Sequence, residues 1–161
     1  MLFENQSARD FFDSVRNAAM EIARTERQLA RMEASEGVRA QGYTPMGKGS
    51  RSDVNGTAAT DARIDYERMM RKRLEEDRAL VDAACAVLYG DDSRGGVARL
   101  LGSATADAMW WRYCAAESWD KAASMAFTTD VTARRWCYTA FDLIDAIGYE
   151  RARAGEGMAE K

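Results

Sequence analysis

The 161-residue chain is 47% hydrophobic and 30% charged, with a net charge of −3, a single Pro and no His. That is the composition of a folded, helix-rich chain, long enough for one ordinary domain or for a small globular unit joined to an extended element, but not for two full domains. No uncharged stretch approaches the roughly 18 apolar residues of a membrane span, and no basic-then-apolar leader follows Met1, so a cytoplasmic chain without membrane contact is expected.

In chain order, the first element is a long amphipathic helix from Ser7 to about Glu36. Ala8, Val15, Ile22 and Leu29 recur in one heptad register and Phe11, Ala18 and Met32 in the other, interrupted by Thr25. Ser7 suits the N-cap, with Asp10 completing an acidic version of a capping box, and Gly37 marks the expected stop. Residues 37–57 follow as a glycine-rich, slightly basic loop holding Pro45, in which Arg39, Lys48 and Arg51 face one acid, Asp53. Lys48 and Arg51 are its candidate phosphate contacts, set against a plain solvated linker.

A second long helix is expected over residues 60–89. Its apolar stripe runs Ile64, Tyr66, Met70, Leu74, Leu80, Val81, Ala84, Cys85 and Leu88, and its charged middle reads as a solvated face with weak pairs such as Glu67 to Arg71. Two antiparallel helices with narrow seams bury little surface alone, so a coiled-coil-like hairpin over residues 1–96 predicts packing on another copy, as in a homodimer, or on the C-terminal unit. Gly90 to Gly96 is a turn-rich joint without the GK[ST] of a phosphate-binding loop.

Residues 97–149 read as a compact three-helix unit after a short turn at Val97 to Leu101. Ser103 caps a helix ending near Glu117; Ser118 caps a second through Ala126; Thr128 or Thr129 caps a longer third helix that Gly148 stops. Ala122, Ala123 and Ala126 allow close crossing of the last two helices, as a helix-turn-helix requires. With Ala133, Trp136, Cys137, Ala140, Phe141 and Ile144 turned inward, Val131, Arg135, Tyr138 and Asp142 face outward, with Arg134 at the edge. Arg134 and Arg135 are the best candidate DNA contacts, with Thr129, Val131, Thr132 and Tyr138 beside them; ordinary surface arginines snorkelling over Trp136 are the alternative. Adjacent Trp110 and Trp111 cannot both enter one narrow seam, so one core and one half-covered indole are expected. Gly155 and Gly157 suggest that the tail, residues 150–161, frays.

Chemistry is sparse. Without His, and with Cys85, Cys114 and Cys137 lacking CxxC spacing, neither a zinc site nor a Cys–His nucleophile is expected, and the thiols read as small buried hydrophobes in a reducing compartment. Asp142 and Asp145 share a helix face, but nothing nearby adds the ligands a metal needs, and they read as solvated. No catalytic residue, metal or cofactor is assigned, and the chain is expected to be non-enzymatic.

The run Arg112-Tyr113, Glu117-Ser118-Trp119-Asp120-Lys121-Ala122-Ala123, Thr129, Arg134-Arg135-Trp136 and Ala140 resembles region 4 of sigma-70-type factors. More narrowly, it resembles the phage and prophage late-gene transcription regulators of the ArpU and RinA kind. In those relatives two long charged helices, joined by a Gly/Ser loop with a Ser-Asp motif, precede the helix-turn-helix; Gly47-Lys48-Gly49-Ser50-Arg51-Ser52-Asp53 stands at that place here. The resemblance spans about residues 7–147. It departs at Phe127, where the family has a turn Gly, and at Ala122, where it has a larger aliphatic residue.

The expectation is therefore an all-α chain, a helical hairpin plus a helix-turn-helix unit. It would regulate transcription by binding double-stranded promoter DNA, with the hairpin oligomerising or touching RNA polymerase. Against it stands charge: residues 104–161 hold seven Lys and Arg against nine Asp and Glu, and phosphate neutralisation dominates DNA affinity. The alternative is a protein-interaction module that contacts polymerase or a phage packaging partner through Trp110, Trp111 and the acidic surface.

Overall fold

The structure, a computed structural model, describes residues 6–41 and 53–157, with side chains placed over 6–37 and 58–157. Every element among the described residues is helical: α1 Ala8–Gln41, α2 Asp53–Tyr89, α3 Gly96–Leu101, α4 Ser103–Met109, a π-helical turn Trp110–Cys114, α5 Trp119–Met125, α6 Asp130–Ile147 and α7 Tyr149–Ala154. None of these helices is long and apolar enough to cross a membrane.

Several boundaries differ from expectation, each for a local reason. Helix α1 runs through Gly37 to Gln41: one exposed glycine costs a helix only about 1 kcal/mol, less than good formers on both sides return. Helix α2 begins at Asp53, so the expected loop of residues 37–57 is helical at both ends. Its middle, with Lys48 and Arg51, lies outside the described residues. The turn expected at Val97 to Leu101 is the short helix α3, with Val97 buried. Gly102, not Ser103, precedes α4, at φ +99° and without a side-chain cap. The tail does not fray at residue 150: α7 buries Ala152, and Gly155 ends it in the left-handed conformation (φ +71°).

Contacts divide the chain into two compact units, Met1–Met20 with Asp77–Lys161, and Glu21–Glu76. The divisions fall inside the long helices rather than at residues 96 and 97.

In the first unit the start of α1 inserts Ala8, Phe11, Phe12 and Val15, all fully buried, among Ala84 and Leu88 of α2, Val97, Met109, Tyr113 and the inner face of α6. Phe12 sits 5.1 Å from Phe11 and 5.7 Å from both Tyr113 and Phe141, ring centre to ring centre, in the tilted and edge-on geometries that aromatic quadrupoles favour. Asp145, expected to be solvated, accepts the Ala8 backbone N–H at 2.7 Å, so α6 supplies a cap to the first turn of α1. Ser7 Oγ accepts the Asp10 N–H at 3.2 Å, as the sequence indicated. The joint after α2 closes on glycine: a Cβ on Gly96 (φ +70°) would stand 2.4 Å from the Leu88 carbonyl, and one on Gly95 would stand 2.5 Å from the Arg153 carbonyl.

In the second unit the paired stretches of α1 and α2 share a thin apolar seam of Leu29, Met70 and Leu74 with Ile22 against it. Gln28 donates to the Tyr66 hydroxyl at 2.6 Å, and Arg63 reaches both the Met32 carbonyl (2.8 Å) and Glu36 (3.0 Å); numbers rise on one strand of the pair as they fall on the other, so the segments run antiparallel. Arg71 bridges Glu67 and Glu33. Thr25, the expected interruption of the heptads, is buried, whereas Ile64 (48% exposed) and Tyr66 (37%) of the expected stripe are not.

Candidate nucleic-acid interface

Three local devices set the geometry of the α5–α6 pair. Ser118 adopts extended backbone angles and its hydroxyl accepts the Lys121 N–H at 3.2 Å, starting α5. At the far end of α5 the Thr128 N–H reaches back to the Ala123 carbonyl at 2.9 Å, with Phe127 in the left-handed region at φ +55°. This is a helix-ending loop that normally takes glycine, and a side chain there costs about 1–2 kcal/mol. Thr129 then caps α6, accepting the Thr132 N–H at 3.3 Å while its hydroxyl donates to Thr132 Oγ1 at 2.9 Å. Between Thr128 and Thr129, the cap is Thr129.

Alanines hold the two helices together. Ala123 and Ala126 of α5 pack with Ala133 of α6 and Ala108 of α4, all buried, with Trp119 and Trp136 at the margin. The inward face of α6 is Ala133, Cys137, Ala140, Phe141, Ile144 and Ile147. Outward stand Val131 (75% exposed), Arg134, Arg135, Tyr138 and Asp142, with Thr132 half-buried.

The two adjacent arginines are not equivalent. Arg134 Nε donates to Asp130 at 2.9 Å, and its guanidinium lies over the Trp119 ring at 5.0 Å. Its pKa is raised, chiefly by the hydrogen bond to Asp130. The Trp119 ring also carries Arg112, at 4.6 Å. Arg134 thus fastens the start of α6 to α5, whereas Arg135 makes no ion pair among the described residues. Arg9 of α1, 129 positions away in sequence, sits over the Tyr138 ring at 5.7 Å and brings a second cation to this face.

Behind the pair, Arg16 Nη1 donates to the carbonyls of Arg112 (2.7 Å) and Glu117 (2.9 Å), pinning the segment that leads into α5. Burial, then the neighbouring Arg112 charge, lowers the Arg16 pKa. The Ala115 N–H reaches the Trp110 carbonyl across the wider π turn. Trp110 and Trp111 meet edge to face at 5.0 Å, each half-buried, where one core and one half-covered indole were expected.

Phe127 is the largest departure from what the residues alone suggested. It is 98% exposed at the apex of the α5–α6 corner, near Met125 (38%) and Val131 (75%). Folding gains nothing from it and bears its backbone strain. Sequence reasoning marked Phe127 only as a misfit to a glycine pattern, and it missed Arg9 and Arg16, whose roles depend on contacts distant in sequence. Among the described residues no group of three or more Cys, Asp or Glu side chains converges as a metal site would require. No protein-family model matches this chain, and no curated protein or solved structure matches it.

Proposed function

We propose that this chain is a DNA-binding transcriptional regulator of phage or prophage origin, of the ArpU and RinA kind, in which α5 and α6 act as a helix-turn-helix. The observation that carries this reading is the uncovered outer face of the first half of α6. It starts at a side-chain cap, is braced on α5 by Arg134 over Trp119, and presents Val131, Thr132, Arg135 and Tyr138. A helix held this way can enter a major groove by its first turns. Arg135 then meets guanine or phosphate, Thr132 and Tyr138 add hydrogen bonds, Val131 meets a thymine methyl, and Arg9 meets the backbone. Thr129 and the first amides of α6 suit a phosphate. In this reading Arg134 is a positioning residue, and the acidic balance of the unit is offset by gathering Arg9 and Arg135 on one face. Residues 21–76 serve as a helical hairpin that dimerises, or touches RNA polymerase, through the exposed Ile64 and Met69 side.

One observation favours a second reading: the apolar corner of Met125, Phe127 and Val131, close to Asp120 and Asp130, suits a protein partner such as polymerase or a packaging component.

Fluorescence-anisotropy titration of a pool of random-sequence duplexes, at about 50 mM and about 200 mM salt, separates the two. The first reading expects salt-sensitive binding that Arg135→Glu weakens about tenfold or more while leaving the helical circular dichroism unchanged. Absence of binding by the parent at either salt would reject it in favour of the protein module.

A further inference from the structure

The three cysteines, alike in the sequence, have different surroundings. Cys137 is fully buried on the inner face of α6, and burial pushes its thiol up to about 12. Cys114, at the end of the π-helical turn, is also buried, but Cys85 of α2 is partly exposed and stands against it. The Cys114 S–H donates a hydrogen bond to the Cys85 sulfur, and the Trp110 indole N–H donates a second to the same sulfur. Both bonds favour the Cys85 thiolate and draw its pKa down against the opposing effect of burial, while the same contact and burial push Cys114 up. Close by, the Tyr89 hydroxyl donates to Asp107 at 2.7 Å, which leaves Asp107 engaged elsewhere. The arrangement is a partly exposed sulfur holding two donors, with a protonated thiol directly behind it. Two thiols in hydrogen-bond contact also lie within the reach that a disulfide requires.

We propose that Cys85 and Cys114 form a peroxide-reactive pair, in which Cys85 is the attacking thiolate and Cys114 the resolving thiol. In the first step the Cys85 thiolate attacks one oxygen of a hydroperoxide. The S–O bond forms, the O–O bond breaks, sulfur is oxidised to the sulfenic acid, and the departing oxygen leaves as water or alcohol after taking a proton from solvent. In the second step the Cys114 sulfur attacks the Cys85 sulfenic sulfur. The S–S bond forms, the S–O bond breaks, and the hydroxide leaves with the Cys114 proton as water. The product ties the last turns of α2 to the π-helical turn, and a dithiol reductant reverses it. Cys137 has neither an exposed sulfur nor a thiol neighbour, and it stays out of the reaction.

The test uses the full chain treated with hydrogen peroxide, followed by thiol counting after denaturation and peptide mapping without reductant. The expected result is loss of two thiols per chain, a linked Cys85–Cys114 peptide, an intact Cys137, and Cys85 reacting about tenfold or more faster than Cys137. In Cys114→Ser, dimedone should trap a sulfenic acid on Cys85; in Cys85→Ser, Cys114 should keep its thiol. The parent alone decides the matter if either variant fails to fold. Equal oxidation of Cys85 and Cys137, or a parent product linked only between chains, would overturn the proposal, as would three thiols remaining under peroxide that oxidises a free low-pKa thiol control.

Discussion

The two compact units are both built from α1 and α2 yet are held together by different means. In the unit of residues 6–20 and 77–157 the helix ends bring Phe11, Phe12, Val15 and Leu88 to zero exposure inside a cluster fed by every shorter helix except α5. In the unit of residues 21–76 the same two helices share only Leu29, Met70 and Leu74 with Ile22, and the rest of their meeting surface is Arg63, Arg71, Glu33 and Glu36 in exposed ion pairs. Exposed pairs contribute at most about 1 kcal/mol each. A long amphipathic helix therefore draws its stability from what its apolar stripe meets, not from the stripe. One unit owns a core, and the other is a seam that gains most from a further partner.

The sharpest way to test that contrast is Phe12→Ala. Removing a fully buried ring that touches Phe11, Tyr113 and Phe141 should cost about 3–5 kcal/mol, read as a fall in the denaturant midpoint. An effect under about 1 kcal/mol would mean that the aromatic cluster is not the core. Leu74→Ala in the seam should cost about 2 kcal/mol, and its loss should appear as faster hydrogen exchange confined to residues 21–76. Exchange that quickens equally in both units would show that they unfold as one.

Asp145→Ala removes the carboxylate that accepts the Ala8 N–H and should cost about 1 kcal/mol, the usual worth of a helix cap. Smallest and opposite in sign is Phe127→Gly. Relief of the left-handed backbone should outweigh the entropy cost of glycine and stabilise the chain by about 0.5–1 kcal/mol. Destabilisation would mean that the ring makes a contact in solution which its 98% exposure does not suggest.

What the sequence disclosed follows the range of the interaction. Ser7, Ser118 and the Thr129 region were legible as caps because a cap is written within three residues of itself. The inward and outward faces of α6 were legible for the same reason, since 3.6-residue spacing sorts Cys137 and Ile144 from Val131 and Arg135 without reference to the rest of the chain. Asp145 was misread as solvated because its partner, Ala8, lies 137 residues away. Arg134 and Arg135 looked interchangeable until Trp119 and Asp130 claimed one of them, and Arg9 was invisible as a member of the face because only the packing of α1 on α6 brings it to Tyr138. Helix ends were misplaced wherever glycine was taken as a stop: Gly37 lies inside a helix, and Gly155 closes α7 rather than marking frayed chain. The Cys85–Cys114 pair joins α2 to the π-helical turn, and no spacing in the sequence announces it.

The most direct test of the central claim is residue-resolved. Amide chemical shifts of the ¹⁵N-labelled chain are recorded while a duplex selected from the random pool is added. The account predicts perturbations concentrated at Thr129, Val131, Thr132, Arg135 and Tyr138, with a weaker response at Arg9, and little change in the buried core of the same unit. Perturbations that leave α6 untouched, or none at a duplex concentration that saturates a known helix-turn-helix control, would contradict the assignment of α6 as the DNA-reading helix.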